Sequence, residues 1–306
     1  MNDSPNLSRR VLLGAAAATT LAASPALAFR EHIPRLRLGA NLERWFPIAR
    51  DQTARRLGRG WWEDYRAAGF DHARLFMPRF EEAGAGDEIP RLFLEAVQDA
   101  NAAQVPAMLG MADFYFEDQP WTEEQHRIVA ARARLFGQET DPAMVALAPL
   151  NEPAFNSTPP WIPVRDRLLA TMREAAPRHT LMWGGREWCS WRSLLEMPPP
   201  RESNTMVEVH DYEGGDARAV ERRFGDVVRW SARHGIPAMV TELGGHRDNG
   251  LNRQAWAADL ARSLPVMRRL GLGTTLWAIT HGGAWRLQDG DGPQPAPALA
   301  RALRAA

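Results

Sequence analysis

The chain contains no lysine; all 37 positions counted as Lys or Arg are arginine. That one-sidedness reads as nucleotide-composition bias, not as a site. Cysteine is almost absent too, with Cys189 alone. An intramolecular disulfide is therefore excluded even in an oxidising compartment. A catalytic thiol would need a partner, and Glu187-Trp188-Cys189-Ser190-Trp191 has no histidine nearby, which favours a structural or incidental cysteine. Net charge is missing as well: 37 acidic residues balance 37 basic ones. Nothing in that balance argues for nucleic acid or an anionic membrane as partner. The eight histidines show neither HExxH nor close paired spacing, so no metal is expected. Asp289-Gly290-Asp291-Gly292 lacks the later ligands of a calcium loop and reads as a turn. A phosphate-binding glycine loop is absent after the first apolar run, which continues Gly39-Ala40-Asn41-Leu42-Glu43-Arg44-Trp45.

Long hydrophobic runs are lacking except at the start. Ser8-Arg9-Arg10-Val11-Leu12-Leu13 places paired arginines before an apolar stretch that lasts to about Ala23, and Ser24-Pro25-Ala26-Leu27-Ala28 ends in an A-x-A pattern. Residues 1–28 resemble a twin-arginine export signal; an ordinary secretory signal carrying two arginines is the alternative. Either sends the remainder, 29–306, to the periplasm or out of the cell. The apolar stretch is too short and too rich in Ala and Thr for a membrane span, so no membrane contact is expected after signal removal.

What the rest of the chain does have is an alternation. Apolar runs recur at about Leu36–Leu42, His72–Met77, Val105–Met111, Met144–Leu150, Thr180–Trp183, Met206–Val209, Ala238–Thr241 and Thr274–Ile279. Between them lie stretches with helical spacing, among them Glu123–Gln138, Ala217–His234 and Arg253–Leu270. Strands alternating with helices imply parallel pairing through right-handed crossovers, and near-continuous apolar strands imply burial on both faces. Eight such units predict an α/β fold, a single-domain (β/α)8 TIM barrel over 29–306. No repeat or long linker divides it. Pro198-Pro199-Pro200 and the 290–297 segment are loop punctuation.

In such a barrel the active site forms at the carboxyl ends of the strands. Those ends carry Asn41, Arg74, Asp113, Asn151 with Glu152, His210 with Tyr212, Glu242 and Trp277. Glu152 follows the fourth strand in Leu147-Ala148-Pro149-Leu150-Asn151-Glu152-Pro153; Glu242 follows the seventh in Val240-Thr241-Glu242-Leu243-Gly244. Paired carboxylates flanking a bond are the equipment of glycoside hydrolysis, one protonated to donate to the leaving oxygen, the other ionised to attack.

With these motifs the chain resembles the cellulase-type glycoside hydrolases of family 5 along essentially all of 29–306. The resemblance implies Glu152 as acid/base and Glu242 as nucleophile. It implies Asn151 on the sugar 2-hydroxyl, Arg74 on the nucleophile, His210 and Tyr212 lining the site, and Trp277 as the platform under the cleaved sugar. Where the family usually has a His after strand three, this chain has Ala112, and Asp113 or Tyr115 is left to take over its contact, or the subsite is altered. The acidic residue often found before Asn-Glu-Pro is missing as well. Asn41, Asp113, Trp45 and His281 complete the expected substrate contacts; His246 lies just past strand seven in a similar place. Of the twelve tryptophans, Trp45, Trp161, Trp188, Trp191 and Trp285 fall in expected loops on the catalytic side. Trp183, Trp230 and Trp256 suit packing.

The expected activity is a cofactor-free, monomeric retaining endo-β-glycosidase acting on a polysaccharide or oligosaccharide, foremost a β-1,4-glucan. A non-catalytic glycan-binding barrel and a transglycosylase acting on β-mannan or an exopolysaccharide are the alternatives.

Overall fold

Short apolar runs buried on both faces pair in parallel, and here eight of them close on themselves. The computed structural model describes residues 36–42, 57–77, 88–120, 122–248, 252–280, 285–290 and 292–305. The expected export signal, Trp45 and His281 lie outside the described residues. The barrel strands in chain order are β1 (Leu38–Leu42), β2 (His72–Phe76), β3 (Ala107–Gly110), β5 (Val145–Ala148), β7 (Thr180–Gly184), β8 (Thr205–Asp211), β9 (Ala238–Leu243) and β10 (Gly273–Thr280). They form one closed barrel in which β10 pairs with β1. Their ends differ from the expected runs by no more than about two residues, the ordinary play of a strand boundary.

The helices between them are α1 (Arg59–Ala67), α2 (Glu88–Ala102), α3 (Glu123–Glu139), α4 (Thr158–Ala175), α5 (Trp191–Leu195), α6 (Ala217–His234), α7 (Arg253–Leu270) and, after the last strand, α8 (Pro297–Ala305). Local chemistry sets their ends. Thr122 and Gln125 form a reciprocal capping box at the start of α3. Asp216 caps α6 by accepting from Ala219 N at 2.8 Å. Both α6 and α7 stop at a left-handed glycine, Gly235 and Gly271. The main core lies between the strands and this helical ring. A second, smaller core plugs the barrel itself: Met108, Ala146, Ala148, Met182, Met206 and Met239, with Leu36 packed against it. That apolar plug forms the floor on which the polar residues of the upper barrel rest.

One feature is not legible as a barrel unit. Two three-residue strands, β4 (Phe114–Phe116) and β6 (Glu152–Ala154), pair in parallel just above β3 and β5. Glu152 thus stands at the first position of a short strand, opposite Phe114.

Candidate active site

Asn151 and Glu152 sit at the rim because the chain bends after β5. The Asn151 amide donates to the carbonyls of Ala112 (2.9 Å) and Asp113 (2.8 Å), which carries the backbone into β6 and turns the Glu152 side chain inward. Glu152 Oε1 lies 2.6 Å from His210 Nδ1, and the same ring nitrogen is 3.6 Å from Glu242 Oε2. One donor atom from each of Glu152, His210 and Glu242 lies within 4.8 Å of the other two. The two carboxylates therefore face one another across a gap of sugar-atom dimensions. The three groups are also close enough to share a cation, which would occupy the same gap.

Glu242 is held on both oxygens. Arg74 Nη1 donates to Oε1 at 2.9 Å and the Tyr212 hydroxyl donates to Oε2 at 2.5 Å. Arg74 also donates to Asn41 Oδ1 (3.0 Å), Asn151 Oδ1 (2.7 Å) and Glu208 Oε2 (3.2 Å). One buried guanidinium thus ties β1, β2, β8, β9 and the start of β6 together. Gly244 gives Tyr212 its place: a Cβ there would lie 2.2 Å from the ring.

The electrostatics separate the two carboxyls. Burial pushes the Glu152 carboxyl up to about 7, against the opposing charges of Arg74 and Arg247. Burial raises Glu242 as well, and the neighbouring Glu152 adds to this, while Arg74 and the Tyr212 hydroxyl oppose it. The donors on both of its oxygens favour Glu242 as the ionised member. His210 is driven down to about 3 by burial. Its Nε2 is buried with no hydrogen-bond partner among the described residues, which also disfavours an imidazolium. His210 therefore meets Glu152 as a neutral ring.

The cleft above this pair has a volume of about 810 Å³, and its walls include Asp113, Asn151, Trp188, Tyr212, Trp277 and Trp285. Trp277 lies on β10 within this lining, followed by a cis peptide to Ala278. Trp285 donates to Gly244 O at 2.8 Å and meets Tyr212 edge-on. Trp188 is 42% exposed and touches Phe116 edge-on.

Several expectations are corrected. Asn41, expected on substrate, is fully buried beneath the site, where its amide donates to Thr241 O (2.8 Å) and Leu276 O and its oxygen receives Arg74. It orients Arg74 and does not reach the cleft. Trp161 is not in a loop. Ser157-Thr158-Pro159-Pro160 starts α4 early, with proline in the first turn, and the indole is buried and donates to Gly184 O at 3.1 Å. Trp191 opens α5 and donates to Glu213 Oε1. His246 is not in the cleft wall; its ring lies 3.7 Å from Asp248. Tyr115 is buried and stacked on Phe155, so of the two candidates to replace the histidine absent at Ala112, Asp113 is the one at the cleft. Asp113 also receives Asn151 Nδ2 at 3.2 Å.

Cys189 is buried, its thiol pushed up by burial and donating to Asn151 O at 3.3 Å, as a structural cysteine would be. Glu208, Glu187, Arg247 and the Arg192–Glu213 pair carry no motif that marks them. Glu208 alone had a legible signal: it stands two residues before His210, so strand alternation points it inward too.

The profile of the family described as Cellulase (glycosyl hydrolase family 5) matches residues 95–283, well over half of the chain. No curated protein sequence matches. Among solved structures, a hyperthermophilic endo-β-1,4-glucanase in complex with substrate aligns at 16% identity and TM-score 0.73, covering 90% of this chain and 98% of the other. Endoglucanase Cel5A from Thermotoga maritima aligns at 17% identity and TM-score 0.74, covering 90% and 99%. The cellulose synthase subunit Z of Clostridioides difficile aligns at 16% and TM-score 0.70, covering 88% and 99%. At these identities the likeness establishes a shared barrel.

Proposed function

The chain belongs to the cellulase family, glycosyl hydrolase family 5, and from that premise we propose that it is a retaining endo-β-glycosidase acting on a β-linked glucan, foremost a β-1,4-glucan. The observation that carries the mechanism is the pair of facing carboxylates, with oxygens no more than 4.8 Å apart across His210. Retaining enzymes hold their carboxyls about 5–5.5 Å apart, inverting ones about 6.5–9.5 Å, to admit a water.

In the first displacement a Glu242 oxygen attacks the anomeric carbon. The glycosidic C–O bond breaks, and the Glu152 proton passes to the departing oxygen. Esterification removes the charge at Glu242 and lowers the proton affinity of Glu152, which therefore stands ionised and ready to act as general base. As a water oxygen bonds to the anomeric carbon its proton passes to Glu152, the ester C–O bond breaks, and Glu242 leaves as a carboxylate. Arg74 and Tyr212 keep Glu242 ionised and aimed. Asn151, fixed by Arg74 and Asp113, presents its amide to the sugar 2-hydroxyl, and Asp113 accepts from a neighbouring hydroxyl in place of the family histidine. Trp277 forms the platform under the cleaved sugar, with Trp188 stacking further along the chain; an open cleft with aromatic walls suits internal cleavage.

We place the mature protein, 29–306, in the periplasm or outside the cell, on the strength of the paired arginines and the A-x-A pattern before residue 29. The test is a panel of soluble glucans, mannans and xylans with product sizing. Short oligosaccharides released from a β-glucan support the reading, as does a Glu242→Ala variant that binds the glycan without turning it over. Binding without release by the wild type would make it a non-catalytic glycan binder. Products longer than the substrate would make it a transglycosylase.

A further inference from the structure

The proposed reaction uses two carboxylates, yet the barrel buries a third beside them. Glu208 is in the middle of β8, 1% exposed, and faces inward above the methionine floor. Its Oε2 accepts from Arg74 Nη2 at 3.2 Å and from the Thr241 hydroxyl at 3.4 Å. A buried carboxyl without a task is costly, and one opposite a cation is rarely a bystander. Arg74 is the only cation within hydrogen-bonding reach of Glu208 and Glu242 among the described residues, and it donates to both from separate nitrogens.

Resting on the proposed glycosidase reading, we propose that Glu208 is a positioning residue. It locks the Arg74 fork in the orientation that serves Glu242 and Asn151, and it draws off part of that guanidinium's charge, so that Glu242 and Glu152 keep the proton affinities the two steps need. The groups that face it are Arg74 from β2, Thr241 and Glu242 from β9 and Cys189 from the segment after β7, with His210 two residues further along its own strand. Of these only Arg74 and Glu242 carry charge at neutral pH. Consistent with this, burial raises Glu208 itself to about 7, opposed chiefly by Arg74.

The decisive variant is Glu208→Gln, which keeps the shape and an acceptor oxygen but removes the charge. Above about pH 7 Arg74 then belongs to Glu242 alone, and one negative charge is lost from the buried cluster around that guanidinium. The alkaline limb of the pH–activity profile, where Glu208 is ionised, should move toward acid by up to about one unit, the effect of a unit charge several ångströms away at an effective dielectric near 20, while the acid limb, where Glu208 already holds its proton, should stay in place. Glu208→Asp, which keeps the charge but withdraws it, should leave the limbs in place and lower kcat. A Glu208→Gln profile that coincides with wild type overturns the proposal, because a space-filling role would not move it.

A second readout needs no activity. Glu208 binds its proton more tightly folded than unfolded, so in wild type its contribution to stability is full below about pH 4.5 and lost as pH rises toward 7. Glu208→Gln should flatten that decline in Tm, and Thr241→Val, which removes a donor to the carboxylate, should steepen it. If no glycan is cleaved by the wild type, the glycosidase reading fails, while the Tm series still decides the shared charge. An unaltered slope in both variants overturns it.

Discussion

Replacing Arg74 by methionine removes the cation on which this site is built while filling most of its volume. The guanidinium lies 2.9 Å from Glu242 Oε1 and 3.2 Å from Glu208 Oε2, and all three side chains are at most 3% exposed. At an effective dielectric near 20, each attraction amounts to about 4 kcal/mol at about 4 Å between charge centres. The variant does not lose the full sum, because the stranded carboxylates bind protons instead. Breaking a buried pair from one side costs about 3–5 kcal/mol, and that range is expected at pH 8. The sign follows from linkage. Both carboxyls are already raised in the folded protein, and loss of Arg74 raises them further. The Glu208 part of the variant's deficit is therefore small below about pH 4.5, where the unfolded and folded carboxyl are alike protonated, and grows as pH rises through about 7. At pH 5 that part is gone, and the lost hydrogen bonds with the ionised Glu242 partner leave about 2–3 kcal/mol. With about 2–4 °C per kcal/mol for a chain of this order, Arg74→Met should lower Tm by about 6–20 °C at pH 8 and by about 4–12 °C at pH 5. Calorimetry at the two pH values, backed by urea midpoints, measures this. An equal loss at both would refute the picture of one cation serving two buried carboxylates.

Other predictions test separate parts of the account. Turnover should fall as pH rises through about 7, where Glu152 loses the proton it donates. Glu152→Gln should abolish that limb and cut polysaccharide turnover by about 10²–10⁴, with a much smaller effect on aryl glycosides whose leaving group needs no proton. Gly184→Ala drives a methyl into Cys189 Sγ and should cost about 1–3 kcal/mol, only partly recovered in the double variant with Cys189→Ala, because the Cβ at 189 stays 2.9 Å from the new methyl; urea titration of the three proteins decides. Trp188→Ala should raise KM for long glycans up to about tenfold, about 0.5–1.5 kcal/mol of lost stacking, with only a small drop in Tm from the lost edge contact with Phe116.

The barrel was legible because its strands are continuous apolar runs with helical spacing between them; α6 and α7 match the expected 217–234 and 253–270 at both ends. The rim was legible because strand ends in a barrel converge, so Arg74, Asn151, Glu152, His210, Tyr212, Glu242 and Trp277 could be read together. What escaped is what depends on depth and on turns. Periodicity tells which face of a strand Asn41 takes, but not that Arg74 lies over it. Trp161 was misplaced because its helix starts early, at Thr158-Pro159-Pro160, where proline is at home in the first turn. Glu208 escaped because strand alternation marks it only as inward-facing, and the guanidinium beside it is what gives it meaning. The short β4–β6 pair is too brief for any periodic signal, yet it sets the backbone at Glu152.

The central claim is that Glu242 attacks a sugar held against Glu152. A 2-deoxy-2-fluoro cellobioside with an activated leaving group slows breakdown of the glycosyl-enzyme more than its formation, so the intermediate accumulates. After peptic digestion, mass spectrometry should find the fluoroglycosyl group on the peptide containing Glu242, and NMR of early products should show retained β-configuration. Inverted products, or a label carried by any other residue, would contradict the account.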